Sequence, residues 1–181
     1  WLEVEIYRDG KVHKQRYEKG KIIHPLEVTG NTRKRGTKVT FMPDATIFET
    51  LNFDFDTLRT RLREMAFLTK GLKITLADKR AGKEKEREFH YEGGIKEFVQ
   101  YINRHKDPLY DKIIYCEGEK DGVIVEVAMQ HNNSYSESVY TFVNNIGTIE
   151  GGTHLTGFRS AITKVFNDYA RNNKMLKDNE D

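Results

Sequence analysis

The sequence predicts an α+β fold in two parts. Before Pro43, apolar and polar residues alternate in three segments, which is typical of β-strands, and no helical spacing occurs. After Pro43, apolar residues recur mainly at helical spacing, with shorter alternating segments between the helices. Three strands without a helix cannot enclose a hydrophobic core alone. We therefore predict a domain boundary here, between residues 1–43 and residues 44–181.

The first part begins with a predicted hairpin over residues 2–18. Its first arm alternates apolar and polar residues, and Asp9-Gly10 is a pair favoured in tight hairpin turns. Residues 29–36 are polar and basic, so they predict an exposed loop. Residues 37–42 alternate again and predict the third strand of this part.

Helices and strands alternate in the second part. The first helix has Asp54 or Asp56 as a candidate N-cap and Gly71 as its predicted end. The later elements are predicted in this order: strands at 72–76 and 87–91, a helix at 94–104, strands at 112–118, 122–131 and 136–143, and a helix at 153–172 before a charged tail. On the last helix the predicted buried stripe is Leu155, Phe158, Ile162, Val165 and Tyr169.

The composition fits a globular protein with a polar surface. Hydrophobic residues make up 37% of the chain, charged residues 32% and aromatic residues 11%, which excludes a disordered chain. No apolar run approaches the roughly 20 residues that a membrane-spanning helix needs. The single cysteine, Cys116, excludes an intrachain disulfide, so we expect a reducing compartment such as the cytoplasm.

Few classes of chemistry find support in the residue pattern. The net charge of +2 does not predict nucleic-acid binding, so only local basic patches can argue for it. Gly93-Gly94 before a helix could hold a phosphate, and Cys116 is too weak a signal for a thiol enzyme. No catalytic or metal site is predicted. One cysteine cannot complete a zinc site, and the histidines lack the spacing of metal ligands; they include His24, His90, His105, His131 and His154.

The most informative segment is residues 144–158, Asn-Asn-Ile-Gly-Thr-Ile-Glu-Gly-Gly-Thr-His-Leu-Thr-Gly-Phe. It predicts a strand end, a turn and a helix start. Gly151-Gly152 permits positive φ angles, and the Thr153 hydroxyl can cap the helix. By these features alone the segment is an ordinary junction between a loop and a helix.

The string Asn-Asn-Ile, Glu-Gly-Gly-Thr-His, Gly-Phe resembles the transducer domain of type IIA DNA topoisomerases. Three further segments agree with that family in order along the chain. They are residues 36–44 (Gly-Thr, then Phe-Met-Pro-Asp), 89–95 (Phe-His-Tyr-Glu-Gly-Gly-Ile) and 167–171 (Asn-Asp-Tyr-Ala-Arg). The last two fit the gyrase B branch better than the topoisomerase IV ATPase subunit, which stays as an alternative.

The resemblance implies an arrangement of domains. Residues 1–43 would be the last strands of a GHKL ATPase domain, and residues 44–181 would be the transducer, with a left-handed βαβ crossover like that of certain ribosomal proteins. The sequence starts at Trp1 directly on an alternating run, so we expect a truncated chain. The family's ATPase motifs are expected before it, and its Gln-Thr-Lys loop after it.

The resemblance also implies an activity for the parent protein. It would be an enzyme that uses ATP and Mg²⁺ to pass one DNA duplex through a break in another, supercoiling DNA negatively. Its expected partners are double-stranded DNA, the gyrase A protein and a second copy of gyrase B, without a membrane. The 181-residue chain alone is expected to bind no cofactor and to hydrolyse no ATP. The alternative from another class is a DNA-clamp or interaction module without enzymatic activity.

Three residues of the first part are candidate nucleotide-site residues. Thr37 and Val39 share one strand face, and the resemblance implies that Thr37 contacts adenine with Val39 as an apolar neighbour. The alternative for Thr37 is a strand threonine bonded to backbone. Arg8 has the parity of Ile6, and the resemblance places it at the pocket mouth where coumarin inhibitors bind. A surface arginine that covers apolar side chains is its alternative.

Basic residues on two helices are candidates for DNA contact. Arg159, Lys164 and Arg171 lie off the predicted apolar stripe of the last helix. The resemblance implies that they face a cavity for a DNA duplex, where contacts would go to phosphates. Solvated helix faces are the alternative. The same two interpretations apply to three arginines of the first helix, Arg59, Arg61 and Arg63.

Overall fold

The computed structural model describes residues 1–177 of the 181-residue chain and divides into two units, Trp1–Asp54 and a second that begins at Phe55. The first unit is a four-stranded antiparallel sheet in the order β3-β2-β1-β4. Its strands are β1 (Leu2–Arg8), β2 (Lys11–Glu18), β3 (Lys21–Asn31) and β4 (Gly36–Phe41). The predicted hairpin and the strand near residue 37 are therefore confirmed.

The prediction of three strands in this unit is wrong, because β3 was not expected. Residues 29–31, predicted as loop, are the end of this strand. Its pairing with β2 shifts register in three places, so its apolar residues do not alternate regularly. Pro25 also lies within it, which is tolerated because β3 is an edge strand.

The two faces of this sheet differ in chemistry. On one face, Glu3 lies 3.0 Å from Lys14 and Glu5 lies 3.0 Å from Lys38, so charges of opposite sign alternate across the strands. On the other face Val4 is paired with Val39, and Leu2 with Phe41. Val39 and Phe41 are each 54% exposed, so this apolar face is only partly covered by the unit itself.

Residues 43–54 pack with the first unit. The Phe53 ring stands edge-on to the Phe41 ring at 6.0 Å, and Asp44 forms an ion pair with Lys19 at 3.7 Å. For this reason the geometric division falls after Asp54, beyond the predicted boundary. The assignment of residues 1–43 and 44–181 to two families of domain stays a prediction.

The second unit contains three helices and three short hairpins among its described residues. Its elements are α1 (Phe55–Leu68), β5 (Lys73–Asp78), β6 (Lys85–His90), α2 (Ile95–Asn103), β7 (Ile114–Lys120), β8 (Val123–Met129), β9 (Phe142–Val143), β10 (Ile146–Gly147) and α3 (Thr153–Asn172). The pairs β5-β6, β7-β8 and β9-β10 are antiparallel. Helix α1 packs on β5, β6 and α2, and α2 packs on β8.

Most predicted elements of this unit are confirmed, with ends shifted by a few residues. The strand at 136–143 is wrong, because only Phe142–Val143 is extended and paired. Just before this segment the chain makes local hydrogen bonds, in which Ser134 donates from both N and Oγ to Asn132 Oδ1. β6 and β7 flank α2 but are not hydrogen-bonded neighbours among the described residues, so the predicted crossover stays a prediction.

Aromatic side chains form the core of the second unit. Phe67 of α1 is fully buried, and its ring stacks on Tyr91 with the centroids 3.6 Å apart. Phe98 and Tyr101 of α2 reach the same ring at 5.0 and 5.5 Å. Aromatic pairs at these distances add roughly 0.5–1.5 kcal/mol to the gain from burial. These contacts fix the two helices against each other and against the end of β6.

Helix α3 is one continuous helix, as the sequence predicts, but its predicted stripe is only partly correct. Leu155, Phe158 and Ile162 are half-buried, whereas Val165 and Tyr169 are 64% and 60% exposed. Within the described part of the chain α3 buries no residue. The second half of the helix has little to pack against there, which periodicity alone cannot reveal. Residues 178–181 of the predicted charged tail lie outside the described residues.

The β7-β8 hairpin is attached to the helices by a charged group. Lys70 Nζ donates to Glu126 Oε1 at 2.8 Å, and the Tyr115 hydroxyl donates to the same oxygen at 2.6 Å. The hydrogen bond from Lys70, followed by that from Tyr115, lowers the pKa of Glu126 below its usual 4.5. The bond to Glu126 raises the pKa of Tyr115 to about 12. Lys70 also crosses Gly94 so closely that a Cβ there would meet its Cε at 2.5 Å.

This attachment predicts a stability difference that depends on pH. A carboxyl whose pKa is lowered by folding stabilises the fold above its unfolded pKa, and that contribution disappears as the pH falls through its folded pKa. We expect Glu126→Gln to reduce the free energy of unfolding by about 1 kcal/mol at pH 7. The difference from the original chain should shrink below pH 4.5. Urea denaturation at several pH values measures it.

Glu119→Gln, on the exposed end of the same hairpin, is the matched control and should change little at either pH. An equal loss at pH 7 and at pH 3 for Glu126→Gln would show that the carboxylate charge is not what holds the hairpin.

Candidate functional site

The three nucleotide-site candidates lie on one face of the first unit's sheet. Thr37 is paired with Ile6, and Val39 with Val4, so both side chains are on the apolar face. Arg8 follows two residues after Ile6 on β1 and shares that face. Its side chain is exposed, with Nε 3.6 Å from Asp9 Oδ2. The structure therefore brings the three residues together on an exposed surface, and their role in binding stays a prediction.

An apolar hollow in this unit lies at the other end of β4. It is lined by Phe41, Pro43, Phe48, Thr50, Leu51, Asn52 and Phe53. Thr37 and Val39 are not part of its lining, so the hollow does not coincide with the predicted adenine contact. It results from the folding of residues 43–54 back onto Phe41.

Residues 144–158 begin with a tight turn formed by two asparagines. Asn144 and Asn145 have φ angles of 49° and 65° and form the tight turn between β9 and β10. The amide of Asn145 donates to Thr69 Oγ1 at 3.2 Å, which attaches the turn to the end of α1. The pair of asparagines therefore has a structural explanation, since asparagine tolerates the left-handed backbone better than most residues.

The glycine pair forms the bend from which α3 starts. Gly151 has φ 78°, and Gly152 is the N-cap with φ 151°. No side chain caps the helix, and Thr153 is its first helical residue, so the predicted capping by the Thr153 hydroxyl is wrong. The φ angle of Gly152 explains this result, because it lies in a region that favours glycine. The N-cap is therefore a residue without a side chain that could cap the helix.

Three polar side chains contact one another at the same bend. The hydroxyls of Thr141 and Thr148 lie 2.6 Å apart, and Thr148 Oγ1 lies 3.1 Å from His154 Nε2. Sequence reasoning did not find this contact. The three residues are separated along the chain by a hairpin and a bend, so their spacing shows no regular pattern.

The three basic candidates of α3 line one open, shallow surface of that helix. Arg159, Lys164 and Arg171 lie there with Ser160, Thr163, Asn167 and Asp168. We call this set the basic stripe. Arg159 donates to both oxygens of Glu137, at 2.9 and 3.1 Å, while Asp168 places one negative charge within the stripe. The three residues therefore share one surface of α3, and their contact with DNA stays a prediction.

The three arginines of α1 have different surroundings. Arg59 pairs with Asp56 at 3.2 Å and Arg61 with Glu64 at 2.9 Å, both along the helix. Arg63 is half-buried, hydrogen-bonds the Tyr101 hydroxyl and lies 4.9 Å from the centre of that ring. Arg63 therefore contributes to the packing of the aromatic core, and contact of these three arginines with DNA stays a prediction.

Gly93-Gly94 is a helix-start turn. Glu97 Oε2 accepts from Gly93 N at 3.0 Å, so the amide that could hold a phosphate is already satisfied. Across residues 1–177, no group of three or more histidine, cysteine or acidic side chains is placed to hold a metal ion. No helix in that range is long and apolar enough to cross a membrane.

Comparison with known proteins agrees with these features. The sequence model of the DNA gyrase B family matches residues 94–181. The DNA gyrase B protein of Streptococcus pneumoniae is 54% identical over 181 residues, which cover 99% of this chain and 28% of that protein. The DNA gyrase B protein of Bacillus mycoides is 52% identical over 178 residues, covering 98% of this chain and 44% of the relative. Along 99% of its length the chain is thus similar to a DNA gyrase B protein.

Solved structures of this family have the same fold. The 43K ATPase domain of Thermus thermophilus gyrase B, in complex with an aminocoumarin, superposes with a TM-score of 0.83 at 38% identity, covering 99% of this chain and 49% of that one. The gyrase B protein from Myxococcus xanthus gives 0.74 at 29% identity, over 88% and 47%. The gyrase B assignment is confirmed, and a topoisomerase IV subunit or an isolated clamp module is not favoured.

Proposed function

We propose that this chain is a section of an ATP-dependent type IIA DNA topoisomerase subunit that supercoils DNA negatively. The identity of 54% to a DNA gyrase B protein along 99% of the chain carries the proposal. The chain spans less than half the length of the relatives it matches, 28% and 44% in two of them. The complete protein would act in the cytoplasm with ATP and Mg²⁺, double-stranded DNA, a gyrase A protein and a second copy of itself.

Within that protein the second unit would act as a transducer. Its helices α1 and α2 are fixed on one aromatic core, while α3 extends from a glycine bend and buries no described residue. A rigid body with an arm held by few contacts suits the transmission of movement between distant sites. The assignment of residues 1–43 to the end of a GHKL ATPase domain belongs to the same proposal.

The proposed activity is tested with the complete protein that contains this sequence. Together with a gyrase A protein, ATP and Mg²⁺, it should convert relaxed plasmid to the negatively supercoiled form, measured on agarose gels. The 181-residue chain alone should hydrolyse no ATP, measured as phosphate release, because it holds no proposed catalytic base. ATP turnover by the isolated chain, or relaxed plasmid left unchanged by the complete enzyme, would contradict the proposal.

Nucleotide and inhibitor binding would use the exposed face of the first sheet. Thr37 presents a hydroxyl between the apolar side chains Val39 and Ile6, which is a suitable setting for a flat heteroaromatic base. Arg8 ends β1 on the same face with an exposed guanidinium. The Thermus thermophilus relative was solved in complex with an aminocoumarin, which supports an inhibitor site in a protein of this kind.

This proposal predicts selective effects in the complete protein. Thr37→Ala should weaken ATP binding about 5-fold, because one buried hydrogen bond is worth roughly 1 kcal/mol. Arg8→Gln should weaken aminocoumarin binding by a similar factor and change ATP binding less. Isothermal titration calorimetry measures both affinities.

Thr40→Ala is the matched control, because Thr40 lies on the same strand but is paired with Glu3 on the charged face. A loss of ATP affinity as large for Thr40→Ala as for Thr37→Ala would exclude a specific role for the Thr37 hydroxyl.

Duplex DNA would be contacted by the basic stripe of α3. Lysine and arginine side chains on one exposed face can neutralise phosphates without reading sequence. Lys164 offers its charge to solvent, whereas Arg159 already shares its charge with Glu137. An exposed ion pair of this kind contributes about 1 kcal/mol at most, so a phosphate could displace Glu137.

The stripe predicts a measurable salt dependence. For a protein that contacts B-DNA phosphates, the logarithm of the binding constant falls with the logarithm of salt concentration by about 0.9 for each contact. Lys164→Gln should reduce this slope by about 0.9 in fluorescence anisotropy with a short duplex. Glu137→Gln should strengthen binding, because it releases Arg159.

Lys112→Gln, an exposed lysine outside the stripe, should leave the slope unchanged. Equal slopes for the original chain and Lys164→Gln would exclude the stripe as a phosphate contact.

A further inference from the structure

The bend before α3 is closed by polar contacts around Thr148. Thr148 N donates to Thr141 O at 2.9 Å, and Thr148 Oγ1 lies 3.1 Å from the same carbonyl oxygen. When this hydroxyl donates to Thr141 O, the Thr148 oxygen accepts from His154, so Nε2 of the imidazole carries the hydrogen. Both the neutral Nε2–H form and the imidazolium satisfy this arrangement.

The glycine pair makes the return of His154 possible. A Cβ at residue 152 would lie 2.8 Å from His154 Cε1 and 2.9 Å from Nδ1, closer than real atoms approach. A Cβ at residue 151 would lie 3.3 Å from Leu155 Cδ2. The imidazole therefore occupies the space that the missing side chain of Gly152 leaves. This packing supports the contact between His154 and Thr148 independently of its hydrogen bond.

Beyond this point α3 also makes contacts that are exposed to solvent. The ion pair between Arg159 and Glu137 is exposed on both sides, by 55% and 63%. The Phe166 ring stands edge-on to His131 with the centroids 6.3 Å apart, and Phe166 is half exposed. Since no described residue of α3 is buried, contacts at its first turn have the largest effect on its direction.

We propose that Thr148 and His154 form a latch that fixes the direction in which α3 leaves the second unit. His154 is a positioning residue in this proposal and takes no part in chemistry. When the latch is closed, the basic stripe has one position relative to the β9-β10 hairpin. When it opens, α3 pivots about Gly151-Gly152. The consequence for DNA passage rests on the proposed function, whereas the latch itself does not.

The direction of α3 can be measured with two spin labels. Cys116 is exposed on β7 and is the only cysteine in the sequence, so it accepts the first label without further change. Asn172→Cys adds a second at the exposed end of α3. Pulsed electron–electron double resonance then gives the distribution of distances between the two labels. The chain with both labels and an intact latch should give one narrow distribution.

Four further variants in this labelled chain separate the latch from general damage. His154→Ala and Thr148→Val remove one partner each, and valine keeps the shape of threonine, so both should broaden or shift the distribution. His154→Gln should restore it, because the glutamine Nε2 can donate from nearly the same place. Ser160→Ala, on exposed α3 surface, should have no effect. An unchanged distribution in both His154→Ala and Thr148→Val would overturn the proposal.

The complete protein gives a second readout. Paired with a gyrase A protein, His154→Ala should keep its ATP turnover but introduce fewer supercoils per ATP, because α3 would no longer be held in one direction. His154→Gln should recover the ratio. Failure of the unsubstituted enzyme to supercoil would count against the proposed function, while the label distances would still decide the latch. Equal ratios for His154→Ala and the unsubstituted enzyme would overturn the role of the latch in coupling.

Discussion

The stacking of Tyr91, Phe98 and Tyr101 around Phe67 is the interaction on which the second unit depends. These rings come from α1, from the residue after β6 and from α2, so one buried side chain joins three segments that are distant in sequence. The β9 segment reaches this body through further ring contacts, of Tyr140 and Phe142 with Phe98, whereas the β7-β8 hairpin attaches to it by polar contacts. Lys70 and Tyr115 hold the β7-β8 hairpin through Glu126, and the amide of Asn103 at the end of α2 donates to Gln130 just after β8. Removal of the ring packing would leave those polar contacts without a fixed frame.

The arrangement produces two levels of rigidity within one unit. Helices α1 and α2 share a core, whereas α3 buries no described residue and is connected by the glycine bend, the His154 imidazole, exposed contacts and three half-buried side chains, Leu155, Phe158 and Ile162. Local stability in proteins follows the density of buried apolar contacts, so α3 is the element most able to reorient. The basic stripe lies on that element and not on the body. A change of position of α3 therefore moves the positive charges together, without disturbing the aromatic core.

Sequence reasoning succeeded where one local signal decides the structure. Helix α2 and the Gly-Gly bend before α3 have short-range causes, so their positions followed from spacing and backbone freedom. It failed where contacts with distant residues decide the structure. Register shifts against β2 disturb the alternating pattern of β3, and the exposure of Val165 and Tyr169 depends on what lies beside α3. For the candidate site, strand parity gave Thr37 and Val39 a common face and Arg8 the face of Ile6, and the structure joins these faces. Helical spacing placed Arg159, Lys164 and Arg171 off the apolar stripe of α3, and the structure shows that they share one surface. Neither parity could reveal that His154 returns to Thr148 or that Glu137 pairs with Arg159.

Glu126 has a second consequence that follows from its place in β8. The strand reads Val-Ile-Val-Glu-Val-Ala-Met, and β7 is its only ladder partner in the described part of the chain, so one edge has no paired strand there. Such apolar edges readily add strands from other molecules and begin aggregates. Because Glu126 is the central residue of this strand, two copies pairing antiparallel in register would place their carboxylates directly opposite each other, which is unfavourable. The same charge that attaches the hairpin to Lys70 therefore also protects the protein from self-association through this edge.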